Sequence, residues 1–162
     1  MRFNRIIFGT TAAFCAMSAQ VAWADTATSS ISVSASVSTV CTFDATPLAF
    51  GQLALTGATP GTATISITCT GGGAYTVGLG NGLHNVAAQR NLVSGAKILA
   101  YDMFQDPARG VRWGDAGAGL VSGTGNAAVQ VLTIYGQVTT GQILVSGNGV
   151  PYTDTILVTV TY

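Results

Sequence analysis

Cysteines are the residues in this 162-residue sequence whose chemistry is simplest to interpret, and two of them, Cys41 and Cys69, can form a disulfide. The third, Cys15, lies in an N-terminal segment with the features of a cleaved signal peptide. An even number of cysteines in an exported chain favours a disulfide, although two free buried thiols are the alternative. The bond would close a loop of about 29 residues and contribute roughly 3–4 kcal/mol in the chain-entropy model.

His84 is the only histidine, and it lies in a glycine-rich stretch. No serine–histidine–aspartate set, cysteine–histidine pair or HExxH helix can be assembled around it with suitable spacing. Charged residues make up only 7% of the sequence, which further argues against an enzyme. We therefore expect no catalytic residue, no metal site and no bound cofactor.

Asp102 and Asp106 are four residues apart at the end of a predicted strand, with Arg109 close by. Paired carboxylates can act as an acid and a base, but they would need a cleft. An ion pair between aspartate and arginine across the turn, or backbone N–H groups that donate to Asp106, is the simpler interpretation. Tyr101 and Trp113 could line a sugar site, but such aromatics are usually core residues of a β-sandwich.

The first 24 residues have the organisation of a secretory signal peptide. Arg2 and Arg5 precede an apolar run from Ile6 to Met17, and the small residues Ala22 and Ala24 predict cleavage between Ala24 and Asp25. The apolar run is too short to span a bilayer comfortably, and no later segment approaches the ~20 apolar residues required. We therefore expect an exported chain without a membrane span.

The composition of residues 25–162 points to β structure and away from nucleic acid. This part has four basic residues against six aspartates and no glutamate, which gives a formal charge of −2. Without a basic patch, it has no surface that would release counterions from phosphates, so we expect no nucleic-acid partner. Glycine, serine, threonine and valine are abundant, as in strands joined by many turns.

The segment from Ser29 to Val37 alternates strictly, with apolar residues at the odd positions from 31 and serines at the even ones from 30 to 36. Because successive side chains of a strand point to opposite faces, this pattern predicts a half-buried β-strand. Its apolar face must be buried against something. An ordinary first strand of the chain's own sandwich is one interpretation; a strand that pairs with a neighbouring copy is the other.

Later segments predict a series of short strands separated by turns. The predicted strands are Leu48–Phe50, Ala63–Thr70, Tyr75–Leu79, Lys97–Phe104, Val111–Gly114, Ala127–Val138 and Asp154–Tyr162. The predicted loops are Thr56–Gly61, Gly82–Gly95, Asp115–Asn126 and Gly141–Pro151, and Asn81-Gly82 indicates a tight turn. Seven or eight strands without an amphipathic helix predict an all-β, Ig-like antiparallel β-sandwich.

Several segments, taken in order, resemble one known family. They are the alternating N-terminal segment ending at Cys41, TPLAFG (46–51), ISITCTGGGAYTVGL (65–79), AYDMFQDPARGVRWG (100–114), LTIYGQV with Gln142, and YTDTILVTVTY (152–162). Pro107 departs from the pattern, which usually has a small residue there. With these motifs the chain resembles the spore coat U domain family, the subunit type of archaic chaperone–usher pili (Csu-type pilins).

The resemblance implies an incomplete Ig-like sandwich that is completed by donor-strand exchange, a known mode of strand addition. We expect a signal peptide at 1–24, a donor extension at 25–38 and a pilin domain at 39–162. The donor residues would be Ile31, Val33, Ala35 and Val37. The acceptor edge would be formed by Ile156, Val158, Val160 and Tyr162, which follow Asp154 without charge or proline.

The same resemblance implies the partners and the location. The partners would be other copies of the chain or related pilin subunits, a periplasmic chaperone and an outer-membrane usher. The protein would reach the periplasm and then a surface fibre that supports adhesion or biofilm formation. A self-complemented secreted coat protein and a glycan-binding tip module are the alternatives, because the sequence does not say whose groove the first strand enters.

Overall fold

The computed structural model describes residues 25–53, 56–145 and 149–162. The predicted signal peptide, including Ala24 at its cleavage site, lies outside the described residues. The chain divides into two units, of which the first ends at Ala35 and the second runs from Ser36 to Tyr162. No helix in the described part of the chain is long and apolar enough to cross a membrane.

In the first unit, residues 25–35 are exposed and form no strand. Ile31 and Val33 are 88% and 89% exposed. In the second unit, Val37 is likewise 88% exposed, and strand pairing begins only at Cys41. The alternating segment therefore makes no ladder within the described part of the chain, and its apolar side chains are unburied.

The second unit contains eight strands among its described residues, arranged in two antiparallel sheets. The strands are β1 (Cys41–Ala45), β2 (Thr59–Cys69), β3 (Ala74–Leu79), β4 (Arg90–Ser94), β5 (Lys97–Phe104), β6 (Val121–Thr124), β7 (Gln130–Val138) and β8 (Val158–Thr161). The first sheet has the order β1-β2-β7-β5-β4, and the second has the order β6-β3-β8. This arrangement confirms the predicted all-β sandwich.

The core lies between the two sheets and is built from alternate residues of each strand. On β2 and β3 the inward-facing residues are those predicted by the alternation, namely Ala63, Ile65, Ile67, Cys69, Tyr75, Val77 and Leu79. β5 contributes Leu99, Tyr101 and Met103 from an interior position, as predicted from its apolar composition. Trp113 is 1% exposed, which confirms its assignment to the core.

Two strands lie where the sequence predicted loops. β4 lies in the stretch 82–95 that was predicted as a loop, and the side chain of its first residue, Arg90, is fully buried and hydrogen-bonded. β6 is rich in small residues because it packs against a large one: a β-carbon at Gly123 would overlap the ring of Tyr75. Both strands therefore have compositions that tertiary contacts explain and local propensity does not.

Other boundaries differ from the prediction. β2 begins at Thr59 and includes Pro60, which is tolerated because β1 pairs only with the residues from Ile65 onward, so the neighbouring edge is free there. Val111–Gly114 makes only an isolated bridge between Phe104 and Arg112. β7 begins at Gln130, three residues later than predicted, after Ala127 with a φ of 61°.

Near the end of the chain, the predicted strand from Asp154 is shorter in the structure. The N–H groups of Gly80 and Leu83 donate to the carbonyls of Leu157 and Thr155, so two residues between these bonds on one chain segment oppose one on the other. Asn81 and Gly82 lie within this irregular stretch and do not form the predicted hairpin turn. The regular ladder between β3 and β8 consequently starts at Val158.

Buried polar groups connect the two sheets at one side of the sandwich. The Arg90 guanidinium donates to the carbonyls of Leu79, Gly80 and Trp113 at 2.7–2.9 Å and to Asp102 at 2.6 Å. Asp102 also accepts from Arg112 at 2.7 Å, so an ion pair between aspartate and arginine does span the turn, with Arg112 and not the neighbouring Arg109 as the partner.

Asp106 accepts hydrogen bonds from the N–H groups of Gly110 and Val111, as expected for the turn that follows β5. These bonds hold the pKa of the Asp106 carboxyl below its usual range. Tyr101, 3% exposed, donates its hydroxyl to Asp154 at 2.8 Å. Burial raises the pKa of the Tyr101 hydroxyl well above its ordinary value, and the hydrogen bond and charge of Asp154 add to the shift.

The disulfide joins Cys41 to Cys69, which confirms the prediction, and the two residues face each other across β1 and β2. They are 28 positions apart in the sequence, so the bond restricts the unfolded chain substantially. Changing both cysteines to alanine is expected to lower the free energy of unfolding by about 3–4 kcal/mol. Urea unfolding followed by circular dichroism measures this loss; a change below about 1 kcal/mol would contradict it.

The buried hydroxyl of Tyr101 predicts a loss of stability in alkali. Because its pKa is raised in the folded state, the stability it contributes is present below the ordinary tyrosine pKa of about 10 and falls as the pH rises above that value. The free energy of unfolding should drop by up to ~1.4 kcal/mol per pH unit from this group. For Tyr101→Phe, the free energy of unfolding should decline less steeply between about pH 10 and 11.5. Tyr162→Phe, at an exposed position, should match the parent protein. Equal slopes for all three proteins would refute the assignment.

Candidate strand-acceptor groove

β8 is one of the two edge strands of the three-stranded sheet. Among the described residues it pairs with β3 alone, through Val158 to Thr161, so its second edge makes no ladder. Its sequence has neither a charge nor a proline that would discourage pairing. An unprotected edge of this kind is a template for another strand.

An apolar cavity of about 320 Å³ lies beside this edge, between the two sheets. Its floor comes from inward-facing residues of both sheets: Ala63, Leu79, Tyr101, Met103 and Ile134. One wall is formed by Thr155, Ile156 and Val158 at the start of β8. The opposite wall is formed by residues 45–50, and we call the space between the two walls the acceptor groove.

Residues 46–50, which we call the second wall, leave the five-stranded sheet after β1 and cross its inner face. The Thr46 N–H still donates to the Thr64 carbonyl at 2.9 Å. Beyond that point Leu48 and Phe50 pack over the inward-facing glycines of β2 and β7, Gly61 and Gly136. Leu48–Phe50 is therefore not a strand, contrary to the prediction, because its backbone lies over a sheet face and pairs with no strand of the described residues.

Phe50 also contacts the floor of the acceptor groove. Its ring lies edge-on to that of Tyr101, with centroids 5.8 Å apart. Leu48 and Phe50 are both half-buried, whereas Pro47 and Ala49 between and beside them are exposed. The second wall thus has the alternation of a strand, which is why the sequence suggested one.

Asp154 is the only charged residue that lines the groove within the described part of the chain. Both oxygens of its carboxylate have polar partners. Oδ2 accepts from the Tyr101 hydroxyl, while Oδ1 lies 3.0 Å from Nδ1 of His84 and accepts from the His84 N–H at 3.3 Å. The side chain of Asp154 is 1% exposed. These contacts fix the position of the chain just before β8, and the pairing of His84 with Asp154 was not foreseen from the sequence.

A second cavity, of about 810 Å³, adjoins the first along the second wall. Leu48, Phe50 and Leu92 line both cavities. The larger one is also lined by Val150, Pro151 and Tyr152, which precede β8 in the chain. The second wall therefore borders both cavities.

The predicted acceptor residues do not all have the same environment. Ile156, Val158 and Val160 are half-buried and pack against the core, with their side chains on one face. Tyr162 is 59% exposed and follows the last residue of the strand. The predicted donor residues Ile31, Val33, Ala35 and Val37 are all exposed.

Sequence reasoning missed the second wall and the two glycines beneath it. The signal that could have found them is the pair of glycines inside otherwise regular strand patterns, because such glycines often mark the close approach of another backbone. Within the described residues, no group of three or more histidine, cysteine, aspartate or glutamate side chains could hold a metal ion. What the geometry offers is an apolar slot bordered by an unpaired strand edge.

Comparison with known proteins finds a matching family and a solved structure with a similar fold. The family model of the Spore Coat Protein U domain matches residues 27–159. Among curated proteins there is no match. One solved structure with a similar fold is that of the CsuC–CsuE chaperone–tip adhesion subunit pre-assembly complex from the archaic chaperone–usher Csu pili of Acinetobacter baumannii, with a TM-score of 0.56 and 26% identity.

The structural match covers 78% of this chain and 40% of the other, so the present chain spans less than half the length of that protein. The all-β architecture with two antiparallel sheets is the Csu pilin-like fold. The family model covers most of the chain, including the alternating N-terminal segment from residue 27 onward. The chain therefore belongs to the Spore Coat Protein U domain family, a pilin-like family of structural proteins.

Proposed function

We propose that this protein is the subunit of a surface fibre that polymerises by donor-strand exchange. In this proposal, residues 25–38 of one copy enter the acceptor groove of another copy. The donor strand pairs with the free edge of β8 and lies between β8 and the second wall. The added strand completes the three-stranded sheet.

The observation that carries the proposal is that the groove has an unpaired strand edge and the donor segment has exposed apolar side chains, so each can supply what the other needs. β8 has an unpaired edge beside an apolar cavity. Ile31, Val33 and Val37 are large aliphatic side chains on one face of the alternating segment, and each is nearly 90% exposed. Burial of three such side chains would contribute about 5–9 kcal/mol before any ladder hydrogen bonds form.

The spacing of the two partners supports the pairing. Residues two apart on a strand lie about 6.5–7 Å from each other on the same face. The donor has four such positions, at 31, 33, 35 and 37, and the chain at β8 has inward-facing residues at 156, 158 and 160. The serines between the donor positions would face away from the core, where they can remain hydrated.

A chaperone and an usher complete the proposed pathway. The family and the chaperone–subunit complex named above support periplasmic transit with a chaperone that covers the groove before assembly. An exposed apolar groove favours aggregation, so a temporary occupant would protect the subunit. The donor strand of the next subunit would then replace the chaperone, and the fibre would serve adhesion or biofilm formation.

The proposal predicts that the donor segment is required for assembly, whereas the groove forms without it. A variant that lacks residues 26–38 should still be purified in complex with the periplasmic chaperone, because the groove is intact. It should not form the multimers that resist dissociation in unheated detergent gels. Fibres formed by this variant would refute the proposal.

Two point variants control for the loss of chain length. Val33→Asp places a charge on the apolar face of the donor and should block assembly as strongly as the deletion does. Ser34→Asp, on the opposite face, should leave assembly largely unchanged. If the two variants assembled to the same extent, the donor segment would act without the proposed burial of its apolar face.

The groove makes a reciprocal prediction at β8. Val158→Asp puts a carboxylate into the apolar cavity, so it should prevent capture of the donor strand, measured as multimer formation by size-exclusion chromatography. Leu157→Asp is the matched control, because Leu157 is the adjacent residue and is 72% exposed on the opposite face. Assembly by the Val158 variant at the level of the control would contradict the assignment of the groove.

A further inference from the structure

The second wall of the groove depends on two glycines. Gly61 and Gly136 are directly opposite each other in the register of β2 and β7. Both occupy inward-facing positions, in phase with Ala63 on β2 and with Ile134 and Val138 on β7. In an antiparallel pair, two such positions would normally present two side chains to the core. Here they present none, which leaves a shallow slot across the inner face of the sheet.

Residues 48–50 fill this slot. A β-carbon at Gly136 would lie 2.7 Å from Cδ2 of Leu48 and 3.0 Å from Cε1 of Phe50. A β-carbon at Gly61 would lie 3.0 Å from the Ala49 carbonyl oxygen and 3.0 Å from Cδ1 of Phe50. The nearest contacts at Gly136 are thus with side chains, whereas those at Gly61 include the backbone of the second wall.

Neither glycine is required by its own backbone conformation. Other glycines of the chain have positive φ values, but Gly61 and Gly136 do not, so alanine could adopt their dihedral angles. The absence of a side chain at these two positions is therefore explained by the close approach of the second wall.

We propose that Gly61 and Gly136 are positioning residues that set the depth of the second wall and, with it, the width of the acceptor groove. The proposal rests on the function inferred above. With the slot empty of side chains from the sheet, the wall lies low on the five-stranded sheet and the donor strand fits between it and β8. A methyl group in the slot displaces the second wall from the sheet. The width of the acceptor groove then no longer fits the donor strand.

The test uses the full chain carrying Gly136→Ala, Gly61→Ala or Gly71→Ala. The last is the matched control, because a β-carbon at Gly71 would meet no heavy atom of the described residues within 4 Å, and Gly71 has no positive φ. The readout is the rate at which each protein captures a fluorescent peptide with the sequence of residues 25–38. Urea unfolding of the same proteins measures stability separately.

The parent protein and Gly71→Ala should capture the peptide at the same rate. Gly136→Ala and Gly61→Ala should capture it at least about tenfold more slowly, which is on the order of the effect of 1.4 kcal/mol in a rate constant. If the parent protein does not capture the peptide at all, the proposed donor-strand function fails. If all four proteins capture it equally, donor-strand exchange stands and the role of the glycines is refuted.

A second-site change separates positioning from a general loss of stability. Leu48→Val shortens the side chain that the new methyl of Gly136→Ala would meet, so the double variant should regain most of the capture rate. The same change should not rescue Gly61→Ala, whose methyl meets a backbone oxygen. Equal rescue of both, or of neither, would overturn the proposal even if one single variant folds poorly.

Discussion

The mismatch between the two sheets is the constraint on which the structure depends. Among the residues that the structure describes, five strands face three, so the smaller sheet cannot cover the inner surface of the larger one. Part of the uncovered surface is closed by residues 46–50, which cross over β2 and β7 without joining a ladder. The remainder is the acceptor groove, where Tyr101, Met103 and Ile134 form the floor beside the unpaired edge of β8. A hydrophobic core with a missing strand explains both the apolar cavity and the free edge.

A cluster of buried polar contacts next to the groove joins the two sheets, and its central residue, Arg90, is the register partner of Tyr101 in the groove floor. Arg90 donates from β4 to carbonyls at the end of β3 and to that of Trp113, and it pairs with Asp102 on β5. A buried guanidinium with these contacts holds the elements at fixed distances, because losing one partner would leave a buried charge uncompensated. Asp154 has a comparable role beside the groove, where Tyr101 and His84 fix the chain before β8. The polar contacts therefore join the two sheets and the chain before β8 without filling the groove.

Much of this architecture could be predicted from the sequence, for a physical reason. Where one face of a strand is buried and the other is wet, the side chains must alternate, and so β2 and β3 were located from their alternation, whereas β5 was located from its continuous apolar run. β4 and β6 were missed because a buried arginine and a glycine opposite Tyr75 make sense only through tertiary contacts. The same limit applies to the site: the alternation of Leu48 and Phe50 was visible, but that they lie over Gly61 and Gly136 depends on residues far away in the sequence.

The short strand β1 links the two parts that the proposed assembly requires. The donor segment precedes it and the second wall follows it, so the five residues of β1 lie between the two functional stretches. β1 is anchored at its first residue by the disulfide to Cys69 and along its length by pairing with β2. A pull on an inserted donor strand would therefore be transmitted to a covalently fixed point before it reached the wall of the subunit's own groove.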